Sequence, residues 1–421
     1  MNGDDVTESD SHRAIDAIWR IESARIIGGL TRMTGDIDLA EELAGDALVA
    51  ALQQWPKTGV PDNPGAWLMA TAKRRAIDSF RRSKTLERKH VELGRTLEEE
   101  QARSGEALDA AIDDPIGDDR LRLILMTCHP VLSREARVAL TLRLLGGLTT
   151  DEIARAFLTP EPTLAQRIVR AKRTLTAAQV PFEVPRAVDL PARLASVLEV
   201  IYLIFNEGYA ATSGDDWMRP ALCEDALRLG RILAELMPTE PEVHGLAALM
   251  EIQASRIAAR TNPQGEPIPL LEQDRGRWDT ILIQRGLSAL ERAEALGELG
   301  PYALQAAIAA CHARAQTAEQ TDWARIATLY AALGQLSPSP VVELNRAVAV
   351  GLAFGPAAGL ELADALLDEP MLQGYHLLPA VRGDLLAKLG RHTEARAEFE
   401  RAASLTRNER ERQVLLRRAA A

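Results

Sequence analysis

LTTDEIARAFLTPEPTLAQRIVRAKR, residues 148–173, holds two apolar stripes at helical spacing with a short turn between them. In the first, Ile153, Ala154 and Phe157 share a face, and Thr149 or Thr150 stands where a helix N-cap belongs. In the second, Leu164, Ile168 and Ala171 form the inner stripe, Thr159 is the expected cap, and Pro160 takes the first helical position. The small Ala154 lets the two helices approach closely. The outer face of the second helix is expected to carry Thr163, Gln166, Arg167, Arg170, Lys172 and Arg173, with no acid among them. An ordinary αα-hairpin would have the same apolar pattern. The acid-free basic face favours a helix-turn-helix whose second helix enters the major groove of DNA, with arginines on phosphates and base edges.

Working outward, residues 120–180 form one helical domain around this motif, bounded by prolines at 181, 185 and 191. Upstream, residues 91–119 are a linker: from 92 to 119 there are ten acidic and two basic residues, with glycines at 94, 105 and 117. Before the linker, residues 12–90 read as helices. Asp38 to Trp55 carries an apolar stripe through Leu39, Leu43, Ala47, Leu48 and Leu52, with Asp38, Glu41, Glu42 and Asp46 alongside it. Pro56 to Asn63 is expected to be a loop, and Asn63 and Pro64 to start the next helix. That helix is strongly basic: Lys73 to Lys89 holds eight basic and two acidic residues. Trp67, Ala70, Ile77 and Phe80 are expected to face a core, and Arg74, Arg75, Arg81 and Arg82 to face outward. Charge runs are commonly plain solvated faces. Basic side chains beside aromatics also suit phosphate contact and base stacking.

From 186 to 421 the chain reads as helix after helix, broken near Pro238, Pro269, Pro301, Pro340, Pro356 and Gly390, with no lasting strand alternation. The fold class expected is all-α. Ala, Leu and Arg are abundant and only 4% of residues are aromatic, which suits helices packed through small and aliphatic side chains.

The 421 residues carry a formal net charge of −11, which argues against a chain coated in nucleic acid but permits local basic patches. Cys128, Cys223 and Cys311 lie far apart, so neither a disulfide framework nor a zinc site is expected. No apolar run long enough to cross a bilayer occurs, and a cytoplasmic location is expected. His244, His312, Glu207 and Asp279 make no metal or nucleophile spacing; no enzyme activity, metal or cofactor is expected.

With both basic segments in hand, the sequence resembles the extracytoplasmic-function sigma factors of the sigma-70 class, and within them the group with a tetratricopeptide-like C-terminal extension. Residues 12–90 are similar to sigma region two, 120–180 to region four, and 186–421 to the extension. The string Leu385 to Arg396 resembles the middle of one tetratricopeptide repeat. The resemblance implies that Asp38, Glu41, Glu42 and Asp46 dock on the beta-prime clamp coiled coil of core RNA polymerase. It implies that Asn63, Trp67, Lys73, Arg74, Arg75, Asp78, Arg81 and Arg82 open and read the −10 element. Region four would read the −35 element and meet the beta flap. Gly45 departs from the polar residue usual in the clamp-docking helix. The extension would carry a regulatory contact, with another protein or with the chain itself. The competing reading is a one-component helix-turn-helix regulator with a helical sensor domain, which would need no acidic clamp-docking helix.

Overall fold

A computed structural model describes residues 3–90, 116–157, 159–186, 188–210, 218–263, 267–406 and 409–420. Most of these residues are helical, and among them β-pairing is confined to one isolated bridge, Thr261 to Pro267. The expected linker lies mostly outside the described residues. The chain divides into two compact units, residues 1–200 and 201–421.

In the first unit, α1 (Gly3–Thr34), α2 (Ile37–Thr58) and α3 (Pro64–His90) pack as a bundle. Asp36 caps α2: its Oδ1 accepts from the Asp38 and Leu39 amides at 2.8 and 3.2 Å. The helix does not stop at Pro56. It runs on to Thr58 and ends where Gly59 takes φ +82°, a left-handed conformation open to glycine. The expected Pro56–Asn63 loop therefore shrinks to residues 59–63. Asn63 does start α3, with its Oδ1 accepting from the Ala66 amide at 3.1 Å. The buried line of α3 is Leu68, Ala72 and Ala76, spaced by four. Ala70, expected inside, is exposed; Trp67, Ile77 and Phe80 are half-buried at the margin.

The same unit holds α4 (Ile116–Thr127), α5 (Arg134–Leu144), α6 (Thr150–Ala156) and α7 (Glu161–Ala177). Ser133 caps α5 through the Ala136 amide. The first half of α8 (Leu190–Tyr209) belongs to this unit as well. Its Arg193 donates to the Leu125 carbonyl at 2.8 Å, and Ser196 Oγ to the Cys128 carbonyl at 2.6 Å. Leu194, Val197, Leu198 and Val200 are buried there.

In the second unit, α9 (Pro220–Leu236), α10 (Pro241–Ala254), α11 (Thr280–Leu296) and α12 (Pro301–Arg314) come first. They are followed by α13 (Trp323–Leu336), α14 (Pro340–Phe354), α15 (Pro356–Asp364), α16 (Leu377–Lys388), α17 (His392–Leu405) and α18 (Glu409–Ala420). Five of these ten helices begin on a proline, whose fixed φ and missing N–H suit the first turn. Consecutive helices pack on one another, and small residues set the approach. A Cβ on Gly245 would lie 2.6 Å from the Ala303 amide nitrogen, so α10 and α12 touch backbone to backbone. Gly390 turns the chain between α16 and α17 at φ +75°, and Ala395 is buried behind it. Four basic residues near the last helices pair within the same unit: Arg391 with Glu394, Arg396 with Glu400 and Arg412 with Glu409 within one turn, and Arg418 with Asp384 across helices.

Candidate nucleic-acid interface

The helix-turn-helix is built as its spacing implied. Thr149 and Glu152 form a reciprocal capping box for α6: the Glu152 amide donates to Thr149 Oγ1 at 3.1 Å, and the Thr149 amide to Glu152 Oε2 at 2.8 Å. Ile153 and Ala154 are buried on α6, and Leu164, Ile168 and Ala171 on α7. The cap of α7 differs from expectation. Thr159 bonds backward to the Phe157 carbonyl, Pro160 occupies the N-cap, and the helix begins at Glu161 without a side-chain cap.

On the outer side of α7, Thr163, Gln166, Arg170 and Arg173 are exposed, and Arg167 is half-buried. Lys172 does not join them. It is 8% exposed, with Nζ 2.8 Å from Asp38 and 2.5 Å from Glu41. Position 172 follows Leu164 and Ile168 at intervals of four, so its Cβ leaves on the inner face. Burial alone would lower the pKa of this ammonium, but Glu41 and Asp38 outweigh it and hold it above its ordinary value.

Lys172 is one member of a seam between the α1–α3 bundle and the α4–α7 domain. Arg143 donates to Glu41 at 2.6 Å, Arg20 to Glu152 at 2.7 Å, and Arg32 to Asp119 at 3.0 Å. Two glycines let the backbones meet there. A Cβ on Gly28 would lie 2.8 Å from the Asp119 carbonyl oxygen. Gly147, at φ +72°, lies against Arg20 and Ser23 of α1. Of the four carboxylates expected to meet polymerase, Asp38 and Glu41 are thus engaged with α5 and α7, and Asp46 is 2.8 Å from Arg75. Glu42 is exposed, in line with exposed Val49 and Leu52. The sequence reading missed the seam because its partners lie about a hundred residues apart and leave no periodic signal.

Around the α2–α3 loop, Trp67 packs edge-on against buried Trp55 with ring centroids 5.3 Å apart. Asn63, Arg74 and Asp78 are exposed, and Lys73 and Arg75 half-buried. The Arg81 and Arg82 side chains lie outside the described residues.

Three family profiles match the chain: Sigma-70 region 2 over residues 20–85, Sigma-70 region 4 over 122–175, and a family of unknown function over 193–294. An uncharacterized protein of Rhizobium meliloti (strain 1021) is 44% identical over 91% of this chain and 89% of its own length. A probable ECF RNA polymerase sigma factor, SigI, of Mycobacterium tuberculosis is 26% identical over 40% of this chain and 57% of its own length. No solved structure matches.

Proposed function

The chain belongs to the sigma-70 family, and from that premise we propose that it works as an extracytoplasmic-function-type sigma factor, binding core RNA polymerase and directing it to promoters. In this reading α2 docks on a basic polymerase surface through Asp38, Glu41, Glu42 and Asp46. Exposed Val49 and Leu52 would supply the apolar centre of that contact. The −35 duplex is read by Thr163, Gln166, Arg167, Arg170 and Arg173 of α7. The −10 strand is held by Asn63, Trp67, Lys73, Arg74, Arg75, Asp78, Arg81 and Arg82, with a flipped base stacking near the Trp55–Trp67 pair.

The observation that carries this reading is the seam itself. The acidic line of α2 already accepts two cations, Lys172 and Arg143, from another domain. A basic helical surface on polymerase would offer the same chemistry, compete for Glu41 and Asp38, and free α7 from α2. The second unit, a tetratricopeptide-like extension, then acts in control of the factor through a protein contact, and the factor works in the cytoplasm. Among the described residues no helix is long and apolar enough to cross a membrane.

The test is a pull-down with core polymerase. The double substitution Glu42→Arg, Asp46→Arg reverses charge on α2 outside the seam and is expected to weaken binding at least about tenfold, ~1.4 kcal/mol. Undiminished binding, with an unchanged circular dichroism spectrum, removes α2 from the interface.

A further inference from the structure

The outer side of α7 carries one side chain that can neither pair a charge nor make a hydrogen bond. Leu164, Ile168, Ala171 and Leu175 form the buried line of this helix, at intervals of four, three and four. Two residues back, about 200° around the helix, the same intervals recur in Pro162, Gln166, Val169 and Arg173. All four are exposed. Val169 is 46% exposed, and among the described residues of α4 to α7 no other large apolar side chain is exposed.

Isolated apolar residues are common on protein surfaces. The setting of this one is less ordinary. A solvent-facing helix position favours Ala, Lys, Glu or Arg, whereas a β-branched residue loses side-chain freedom there and gains no burial. Gln166 and Arg173 stand on either side of Val169 along its line, each about one helical turn away, and Arg170 follows it in sequence. Gln166, Val169, Arg170 and Arg173 thus succeed one another at intervals of three, one and three, the intervals at which a helix lying in the major groove meets base edges. Pro162 and Thr163 are short side chains, which suits a close approach by the start of the helix.

The floor of the major groove offers one apolar group, the C5-methyl of thymine; the other base edges are hydrogen-bond donors and acceptors. A valine against a polar edge would cover a donor or acceptor without pairing it, which costs binding. Against a thymine, two apolar groups leave water together. One turn of helix rises about 5.4 Å and one base pair about 3.4 Å, so side chains a turn apart reach neighbouring base pairs.

Resting on the sigma-factor reading above, we infer that Val169 is a specificity residue: it packs on the C5-methyl of one thymine in the −35 duplex, between the base pairs that Gln166 and Arg173 reach. Gln166 can take an adenine edge with two hydrogen bonds, and Arg173 a guanine edge or a phosphate. Val169 selects its base by apolar contact alone, because it has no other way to read one.

The test uses holoenzyme, the full-length protein with core polymerase, on promoter-length duplexes enriched from a randomised pool. A thymine is expected at a fixed place in the enriched −35 element. Replacing each fixed thymine in turn with deoxyuridine removes a methyl group and nothing else. One such replacement is expected to weaken wild-type binding about fourfold, the worth of burying one methyl group. Val169→Ala, which suits the helix, is expected to bind the thymine duplex about fourfold more weakly and to show no further loss with that deoxyuridine. Gln166→Ala is expected to weaken both duplexes and to keep the step between them. With an enriched element in hand, the absence of a fixed thymine overturns the assignment of Val169. So does a deoxyuridine step that is absent in the wild type, or equal in the wild type and Val169→Ala. A pool that enriches no element overturns the sigma-factor reading, and the role of Val169 with it.

Discussion

Two buried cations, one in each unit, set the two halves of this molecule apart. Lys172 is enclosed by Asp38 and Glu41, carboxylates that another domain lends across a seam. Arg256 is enclosed by the Tyr209 and Trp278 rings and two further arginines, Arg260 and Arg275. The first arrangement is complete, and exchanging it requires that Lys172 gain water or a new partner as its carboxylates leave, because an unpaired buried ammonium is costly. The second lies within one helical unit, where Arg256 has no carboxylate partner among the described residues. The first unit thus meets a buried charge with an opposite charge, and the second surrounds one with aromatic faces.

The boundary between the units falls inside α8. A chain cut after Val184 loses Leu194, Val197, Leu198 and Val200, all buried. At about 1.5–3 kcal/mol for each large apolar side chain, the loss is several kcal/mol, enough to unfold a marginal domain. A chain ending at Ala210 keeps them. Urea titrations are expected to give cooperative unfolding for residues 1–210 and little or none for 1–184. Equal stability would mean that α8 belongs wholly to the second unit.

A smaller effect sharpens the exposed side of α7. Arg170→Ala is expected to cost about 1–3 kcal/mol in binding the cognate −35 duplex, read by fluorescence anisotropy at fixed salt. Arg173→Ala, if it touches only phosphate, should weaken all sequences alike and flatten the salt dependence.

The second unit has a pH signature. With its pKa pushed down to about 3 by burial and by Arg256 and Arg275 nearby, His312 stays neutral in the fold, whereas the unfolded chain takes up a proton near pH 6.5. The unfolded state then binds the extra proton, so this contribution is full above about pH 6.5 and is lost as pH falls towards 3. The expected slope is about 1.4 kcal/mol per pH unit from this group. Calorimetry of His312→Phe should show a shallower acid limb; an unchanged limb places the titrating group elsewhere.

The smallest effect concerns the seam. If α2 docks on polymerase through Asp38 and Glu41 as proposed, Lys172→Ala removes a competing cation and should raise polymerase affinity a few-fold, roughly 1 kcal/mol. A loss of affinity would mean that Lys172 helps binding instead.

Much of this was legible in the sequence, for local reasons. A capping box, a proline at a first helical turn and an apolar stripe of period 3.6 all act within a few residues, so α6, α7 and the breaks that start helices at 301, 340 and 356 are legible directly. The place of Lys172 is legible too, four residues beyond Ile168 on the buried stripe, although its charge alone points to the outer face. A proline at 56 predicts a stop, but α2 absorbs it with one missing donor and ends at Gly59. The seam and the arginine stack lay beyond reach, because residues such as Glu41 and Arg143, or Tyr209 and Trp278, meet only after the chain has folded.

Run-off transcription with purified core polymerase on a library of promoter sequences tests whether this chain is a sigma factor. The full-length protein is expected to start transcription from a restricted set of sequences sharing −35 and −10 elements, and Glu42→Arg, Asp46→Arg to abolish it. No transcript above core polymerase alone, with the protein folded and no complex formed, would contradict it.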